Sequence, residues 1–307
     1  MDPKIKAARL SIASNTLLTV SKLAVGLIMG SVSVLSEAIH SGLDLLAAVI
    51  AFLSLRQSVK PADEMHKYGH GKFENLAAII EALLIVAAAA GILWHAVPKL
   101  VHGQDEIESL GLGMAVMAIS GAVNWVVSAR LMKVAKETDS PALEADAWHL
   151  RTDVYTSVGV LVGIGLIKIT GLTIIDPIIG IGVTLLILKA AYDLLQESVK
   201  SILDARLPME EEECIHHIMK QHKNRYVNYH EMRTRKAGPQ RYVDLHIVVP
   251  RCNNIKEAHD LCDDVEFEIR GELPRINVLI HSEPCEPPEH CENCQARCDC
   301  KDNSNVK

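Results

Sequence analysis

The sequence predicts a membrane α-helical protein with six transmembrane helices, a C-terminal cytoplasmic α+β domain of order α-β-β-α-β, and a Cys-rich tail. Long apolar runs fill the 307-residue chain up to about Val199, and hydrophobic residues make up 49% of it. From Lys200 onward the composition is that of a soluble domain, and the last residues are polar and rich in Pro and Cys. These shifts predict a transport-type membrane domain at 1–206, a soluble domain at 207–284 and a disordered tail at 285–307.

Six segments are long and apolar enough to cross a bilayer, whose hydrocarbon core of about 30 Å needs roughly 20 helical residues. A large soluble helical bundle is the alternative, but stretches such as LAAIIEALLIVAAAAGILW have no polar face. The predicted spans are residues 10–31, 33–55, 74–98, 110–132, 144–168 and 174–199.

Lysine and arginine concentrate in the N-terminal arm and in the loops after the second and fourth spans. By the positive-inside rule, both termini then lie in the cytoplasm. We expect an integral protein of the cell inner membrane, with the lipid bilayer as a partner. The net charge of −7 comes without a basic cluster, which excludes nucleic acid as a partner. The basic residues are Lys4, Lys6, Arg9, Arg56, Lys60, Lys67, Lys72, Arg130, Lys133 and Lys136.

The soluble part alternates helical and strand patterns, which predicts a small sheet with helices on one face. Period-2 alternation marks the strands, and the stretch KAGPQ between the first two predicts a turn. The predicted elements are a helix at 209–222, strands at 229–235 and 241–249, a helix at 254–273 and a strand at 276–284.

Two apolar segments carry the same polar pattern, His-x-x-x-Asp. The first is SEAIHSGLDLL, with His40 and Asp44, and the second is WHLRTDVYTS, with His149 and Asp153. Residues four apart share a helix face, so two facing helices would offer two imidazoles and two carboxylates to one point. That N2O2 set suits zinc and related divalent ions. The alternative is that each histidine bonds to the aspartate of its own helix at a buried polar packing site.

With these pairs the chain resembles the cation diffusion facilitator family, which exports zinc and related ions. The loop PADEMHKYGHGKFENL is close to that family's loop between the second and third spans, and the resemblance covers roughly residues 8–284. Six spans with cytoplasmic ends and the small α/β domain also match. The resemblance implies that the four intramembrane residues form the transport site and that the protein works as a homodimer.

The resemblance also implies a second metal site in the loop, at Asp63, His66 and His70. The spacing D-x-x-H-x-x-x-H in a charged loop is consistent with a zinc site. The alternative is a pair of solvated histidines beside a helix start.

A third site is implied in the soluble domain, at the dimer interface. The matching positions are His230, His246, His281 and Glu283, with His259 contributed by the neighbouring subunit. His246 lies on the polar face of its strand, as a surface ligand requires. Glu283 departs from the aspartate of better-known bacterial exporters, which puts the geometry of this ligand in doubt.

His40 also departs from well-known bacterial relatives, which have aspartate there. A second imidazole softens the site and favours Zn2+ over Mn2+ or Mg2+. The tail cysteines form either a soft-metal-gathering segment or an inert one, and an iron–sulfur cluster is a minor alternative. These cysteines are Cys285, Cys291, Cys294, Cys298 and Cys300.

The function expected from these features is zinc efflux by metal/proton antiport, with Zn2+ both as substrate and as a structural or regulatory ion at the cytoplasmic sites. Carriers with Cd2+, Co2+ or Fe2+ as the main substrate, or a membrane-anchored metal sensor without transport, are the alternatives. A zinc hydrolase is not expected, because the sequence has no His-Glu-x-x-His motif and four converging ligands leave no open position for water.

Overall fold

The chain divides into two compact units, Met1–Ile202 (the first unit) and Leu203–Lys307 (the second unit). A computed structural model describes residues 2–29, 32–102, 111–170 and 174–286. Most of the predicted tail, 287–307, lies outside the described residues.

The first unit is built from long helices whose apolar residues pack against one another. Alanines dominate the buried positions where helices meet, among them Ala48, Ala78 and Ala147. Small side chains let helix backbones approach closely, as is typical of helix packing in membranes. The helices are α1 (Pro3–Met29), α2 (Val32–Ser58), α3 (Lys72–His102), α4 (Gly111–Thr138), α5 (Pro141–Thr170) and α6 (Ile175–Ile202).

These helices extend beyond the predicted spans at several ends. The helix α1 begins at Pro3 rather than at residue 10, because hydropathy marks only the apolar part of a helix that continues into polar surroundings. Among the described residues, four segments are long and apolar enough to cross a membrane: Pro3–Ile28, Ala38–Ser58, Lys72–Trp94 and Pro177–Ile202. Charged residues such as Arg151 and Asp153 lower the hydropathy of α5. Six spans therefore remain a prediction.

The second unit is a three-stranded sheet with two helices on one face. The strand β2 alternates buried and partly exposed residues, and its buried side packs with both helices in a core that includes Leu245, Ile247, Met219 and Leu261. Strand β2 pairs antiparallel with β1 and parallel with β3. The elements are α7 (Met209–Gln221), β1 (Asn228–Ala237), β2 (Gln240–Val249), α8 (Ile255–Glu272) and β3 (Ile276–Pro284).

Three local features refine the predicted element ends. The first two strands run further toward each other than the predicted turn allows, because Gly238 adopts a φ of 58° that closes the hairpin tightly. The helix α8 starts with a capping box, in which the Asn254 side chain and the Glu257 side chain each accept the other's backbone N–H. The backbone N–H of Cys285 donates to the Val249 carbonyl at 2.9 Å, so hydrogen bonding to β2 continues past residue 284.

Candidate metal centres

The two His-x-x-x-Asp pairs meet where α2 packs against α5, and we name them the α2/α5 cluster: His40, Asp44, His149 and Asp153. Ligand atoms of His40, Asp44 and Asp153 all lie within 4.8 Å of one another. The Nε2 atom of His149 lies 3.1 Å from Oδ1 of Asp44. The four side chains predicted from the sequence therefore lie together.

Contacts within this cluster cross between the helices. His149 of α5 bonds to Asp44 of α2, and the Nε2 atom of His40 lies 3.8 Å from Oδ1 of Asp153 and 4.0 Å from Oδ1 of Asp44. The alternative of two separate pairs, each within one helix, requires His149 to bond to its own Asp153. The observed contacts instead link the four groups, as convergence on one ion requires.

Two polar residues that were not predicted from the sequence lie beside this cluster. The amide nitrogen of Asn124 on α4 donates to Oδ2 of Asp153 at 3.2 Å, and Lys22 on α1 donates to the hydroxyl of Ser41 at 2.8 Å. Both side chains line the same small cavity as His40, Asp44 and Asp153. The available signal was a charged residue in the mostly apolar run of α1 and an amide in that of α4.

The loop between α2 and α3 brings its three predicted ligands together, and we name them the loop cluster: Asp63, His66 and His70. One carboxylate oxygen of Asp63 lies 3.3 Å from Nδ1 of His66, and the other lies 3.2 Å from Nε2 of His70. His70 is buried while Asp63 and His66 are about half exposed. The cluster is thus open to solvent on one side.

Backbone geometry positions the Asp63 carboxylate in this loop. The backbone N–H groups of His66 and Met65 donate to Oδ1 of Asp63 at 2.7 and 2.9 Å. The His66 backbone hydrogen bond is the main cause that lowers the pKa of Asp63 below its ordinary value. Gly69, at a φ of 80°, lets the loop turn back so that His70 reaches Asp63.

Three histidines lie side by side across the sheet of the second unit. His230 on β1 pairs in register with His246 on β2, which pairs with His281 on β3. Their neighbouring rings are 5.3 and 4.9 Å apart between centroids. Aligned registers place alternate side chains on one face, so the three imidazoles share a surface. We name this set, with Glu283, the sheet cluster.

Glu283 links the histidines of the sheet cluster. Its carboxylate lies 2.9 Å from Nδ1 of His246, 3.6 Å from Nε2 of His230 and 3.7 Å from Nε2 of His281. The longer glutamate chain therefore reaches all three imidazoles. Glu231 was not predicted from the sequence, and its carboxylate lies 3.9 Å from Nε2 of His246.

His259 stands apart from the other predicted ligands of the second unit. It lies on α8, is 68% exposed, and its Nε2 atom is 3.5 Å from Asp263 of the same helix. Within one chain His259 shares with Glu283 the lining of a surface groove. A contribution from a neighbouring subunit stays a prediction.

The structure describes some of the cysteines of the second unit but not most of those in the tail. Cys214 and Cys262 carry free thiols, and burial raises the pKa of both. Cys285 is buried and free, and its Sγ accepts from the Arg251 backbone N–H at 3.4 Å. The remaining tail cysteines, Cys291, Cys294, Cys298 and Cys300, lie outside the described residues.

Comparison with known proteins agrees with this arrangement of parts. Residues 8–203 match the model of the cation efflux transmembrane domain, and residues 207–285 match that of the cation efflux protein cytoplasmic domain, a dimerisation domain. The sequence is 36% identical to an uncharacterized transporter of Synechocystis, covering 87% of this chain and 86% of the relative. It is 31% identical to the cation-efflux pump FieF of Pectobacterium atrosepticum, covering 88% and 92%.

One similar plant protein is considerably longer than this chain. The sequence is 30% identical to metal tolerance protein C1 of Arabidopsis thaliana, covering 91% of this chain but 62% of that protein. The two family models account for nearly the whole described chain and follow one another in the order of the two units. This chain is a member of the cation diffusion facilitator family, integral membrane proteins that export divalent metal cations.

Proposed function

We propose that this protein exports Zn2+ from the cytoplasm by metal/proton antiport, with the α2/α5 cluster as its transport site. The observation that carries the proposal is the convergence of His40, Asp44 and Asp153 within 4.8 Å, together with the contact between His149 and Asp44. Ionisable residues within a membrane span are costly and are usually functional. Four such residues from two helices at one point are best explained by a cation.

The donor chemistry favours zinc among divalent ions. Two imidazole nitrogens and two carboxylate oxygens form a tetrahedral set of borderline softness, which suits Zn2+ better than Mn2+ or Mg2+. Carriers whose main substrate is Cd2+, Co2+ or Fe2+ are the alternatives within the same mechanism. The ratio of transported ions separates these alternatives.

Proton exchange follows from the protonation state that the ligands require. Metal binds neutral imidazole and ionised carboxylate, so loading the site releases protons and protonation discharges the metal. Histidine takes up a proton near neutral pH, so a moderately acidic external side favours discharge. Alternating access of the helices around a fixed site would then couple the two flows.

We assign regulation to the loop cluster and the sheet cluster, on the cytoplasmic side of a homodimer in the inner membrane. Both termini are then cytoplasmic, residues 1–206 transport, residues 207–284 bind metal and dimerise, and residues 285–307 form the Cys-rich tail. Zinc at the sheet cluster, completed by His259 of a neighbouring subunit, would favour one dimer geometry. Such coupling requires that zinc affinity differ between the two geometries.

Zinc flux into sealed vesicles tests the proposal against a membrane-anchored sensor that transports nothing. Vesicles containing the full chain should accumulate zinc when the interior is acidic, and the double variant His40→Ala with Asp153→Ala should lose this flux. Asp193→Asn is the matched control, because Asp193 is an exposed carboxylate of α6 outside the three clusters. Flux that is unchanged in the double variant would rule out the α2/α5 cluster as the transport site.

A further inference from the structure

Two buried acidic side chains of the first unit belong to none of the three clusters. Glu81 on α3 is fully buried and Asp146 on α5 is 1% exposed. The Ser11 hydroxyl donates to Oδ1 of Asp146 at 3.1 Å. Within the described part of the chain, Oδ2 of Asp146 and both carboxylate oxygens of Glu81 have no hydrogen-bond partner. Three buried carboxylate oxygens thus lack the partners that such groups require.

The two side chains lie at one level of the helix bundle. The helices α3 and α5 begin at the same end, because Glu74 in the first turn of α3 accepts from the hydroxyl of Ser140, just before α5. At 1.5 Å per helical residue, Glu81 lies about 10 Å from Glu74 along α3, and Asp146 lies about 9 Å from Ser140 along α5. Ala82, next to Glu81, packs in one buried cluster with Ala145, next to Asp146.

This pair lies between the helix ends and the α2/α5 cluster. His149 follows Asp146 on α5 by three residues, about 4.5 Å further along the helix axis. His149 and Asp146 also interact electrostatically. A change of charge at the α2/α5 cluster therefore changes the electrostatic potential at Glu81 and Asp146.

The other helices that pack against α3 bring no described counter-charge to Glu81. Its apolar surroundings include Ala78, Ala82 and Leu194. The ionisable side chains of α6 that the structure describes are exposed: Lys189, Tyr192, Asp193, Glu197 and Lys200. On α2 they are His40 and Asp44 of the α2/α5 cluster and the exposed Arg56. On α5, besides Asp146 and the α2/α5 ligands, they are Glu144, Tyr155 and Arg151, which stacks on Trp148.

An ionised carboxylate without a partner is very unfavourable in such surroundings, and two adjacent ones are worse. The pair must therefore hold a proton or a cation. A zinc ion takes about four ligands, whereas the pair offers two carboxylates and one serine hydroxyl. A proton requires only the one oxygen to which it is bound, and each carboxyl of this pair supplies an oxygen without another partner.

We propose that Glu81 and Asp146 form a second proton-binding site, which carries one of the protons exchanged for metal. This inference rests on the proposed antiport and adds a site outside the four metal ligands. With the α2/α5 cluster empty, both carboxyls are protonated and the pair is neutral. When a divalent ion binds beside His149, its charge repels one proton. The O–H bond of one carboxyl breaks, its electron pair stays on the oxygen, and the proton leaves to water. Discharge of the metal reverses this step.

Proton release on zinc binding tests the inference. The full-length protein in weakly buffered detergent solution is titrated with zinc, and a pH indicator reports the protons released per protomer. The double variant Glu81→Gln with Asp146→Asn keeps the size of both side chains but has no carboxyl proton to lose at this site, so it should release about one proton fewer than wild type. Its zinc affinity at fixed pH should stay within about threefold of wild type. Glu137→Gln, at an exposed surface ion pair with Lys133, should release as many protons as wild type.

Infrared difference spectra give a second reading that a purely structural role would not change. Wild type should show the carbonyl stretch of a protonated carboxyl that disappears when zinc binds, and Glu81→Gln or Asp146→Asn should remove or shift this band. Equal proton release in the Glu81→Gln, Asp146→Asn double variant and wild type would overturn the inference. So would the absence of a zinc-sensitive carboxyl band in wild type, a measurement that needs no variant to fold.

The result for wild type separates this inference from the function on which it rests. If zinc flux into vesicles does not depend on the pH gradient, the antiport itself is contradicted. Gradient-driven flux, with the same number of protons per zinc in wild type and in the Glu81→Gln, Asp146→Asn double variant, contradicts only the role of the pair.

Discussion

The Nε2 atom of His149 lies 3.1 Å from Oδ1 of Asp44, although 105 residues separate them in the chain. This contact joins the two His-x-x-x-Asp pairs across α2 and α5. Asp153 instead contacts two other side chains. Its Oδ1 lies 3.8 Å from Nε2 of His40, and its Oδ2 accepts from the amide nitrogen of Asn124 at 3.2 Å. The site is therefore held by three helices, and residues that are not ligands contribute to its geometry.

Asn124 orients the carboxylate of Asp153, and its replacement should weaken zinc binding without removing a ligand. Loss of such a supporting hydrogen bond typically lowers metal affinity by about 10–100-fold. Asn124→Ala should show this loss at the α2/α5 cluster, measured by calorimetry in a background that disables the loop and sheet clusters. Ser128→Ala is the control, since within the described residues its hydroxyl donates to the Trp125 carbonyl, one turn away on the same helix. Equal zinc affinities of the two variants would contradict a positioning role for Asn124.

His40 should set the preference between zinc and harder ions. Replacing its imidazole by the carboxylate of His40→Asp gives one nitrogen and three oxygen donors, a set that suits Mn2+ better. We expect the ratio of Mn2+ to Zn2+ flux to rise by about tenfold, equal to about 1.4 kcal/mol of selectivity. Vesicle flux of both ions measures it, and an unchanged ratio would show that His40 does not select the ion.

The loop cluster should lose metal on acidification through its imidazoles rather than through Asp63. The pKa of Asp63 is lowered, mainly by the His66 backbone hydrogen bond, so its carboxylate stays charged as the pH falls below the ordinary value. Its favourable contribution is present above that value and is lost only as the pH passes through the lowered one. Zinc requires neutral imidazole, so acidification should release it by protonating the histidines while Asp63 is still ionised.

This pH dependence can be measured by NMR of the histidine side chains, with the other two clusters disabled by Asp44→Asn and Glu283→Gln. Asp63→Asn should weaken binding at every pH, so at a fixed zinc concentration its midpoint should move to higher pH. Lys67→Ala, an exposed residue of the same loop, should leave both unchanged. A wild-type midpoint near pH 4 would instead assign the loss to a carboxylate.

Glu283 should supply the central ligand of the sheet cluster. At a zinc concentration a hundred times the Kd, binding stabilises the folded second unit by about 2.7 kcal/mol. A thirtyfold weaker site in Glu283→Gln would leave about 0.9 kcal/mol at the same zinc concentration. The zinc-dependent rise in Tm of the full chain reports this difference, and His217→Ala, an exposed histidine of α7, should retain the wild-type rise. The prediction fails if Glu283→Gln retains it as well.

Periodicity explains which features could be predicted from the sequence. The spacing of four residues predicts that His40 and Asp44 share a helix face, and the alternation of β2 predicts that His246 lies on its partly exposed face. Both patterns depend only on local geometry. The pairing of His149 with Asp44 depends instead on how α2 and α5 pack, which spacing within one helix does not encode.

Glu231 shows a second reason for a missed residue. It follows His230 directly, so regular alternation would place it on the opposite face of β1. The strand has a register shift between His230 and Arg233, and Glu231 adopts a φ of 49° there. This bulge brings its carboxylate toward His246, and a bulge of this kind without glycine has no clear sequence signature. Asn124 and Glu81 each stand alone in apolar runs, and Asp146 lies in a helix start with other polar residues, so only their tertiary neighbours identify a role.

Anomalous X-ray scattering at the zinc absorption edge tests the central claim most directly. Crystals of the full chain grown with zinc should show an anomalous peak at the α2/α5 cluster, about 2.0–2.2 Å from the ligand atoms of His40, Asp44, His149 and Asp153. Peaks confined to the loop and sheet clusters, with zinc in excess and Asp44 ionised, would contradict the assignment of the α2/α5 cluster as the transport site.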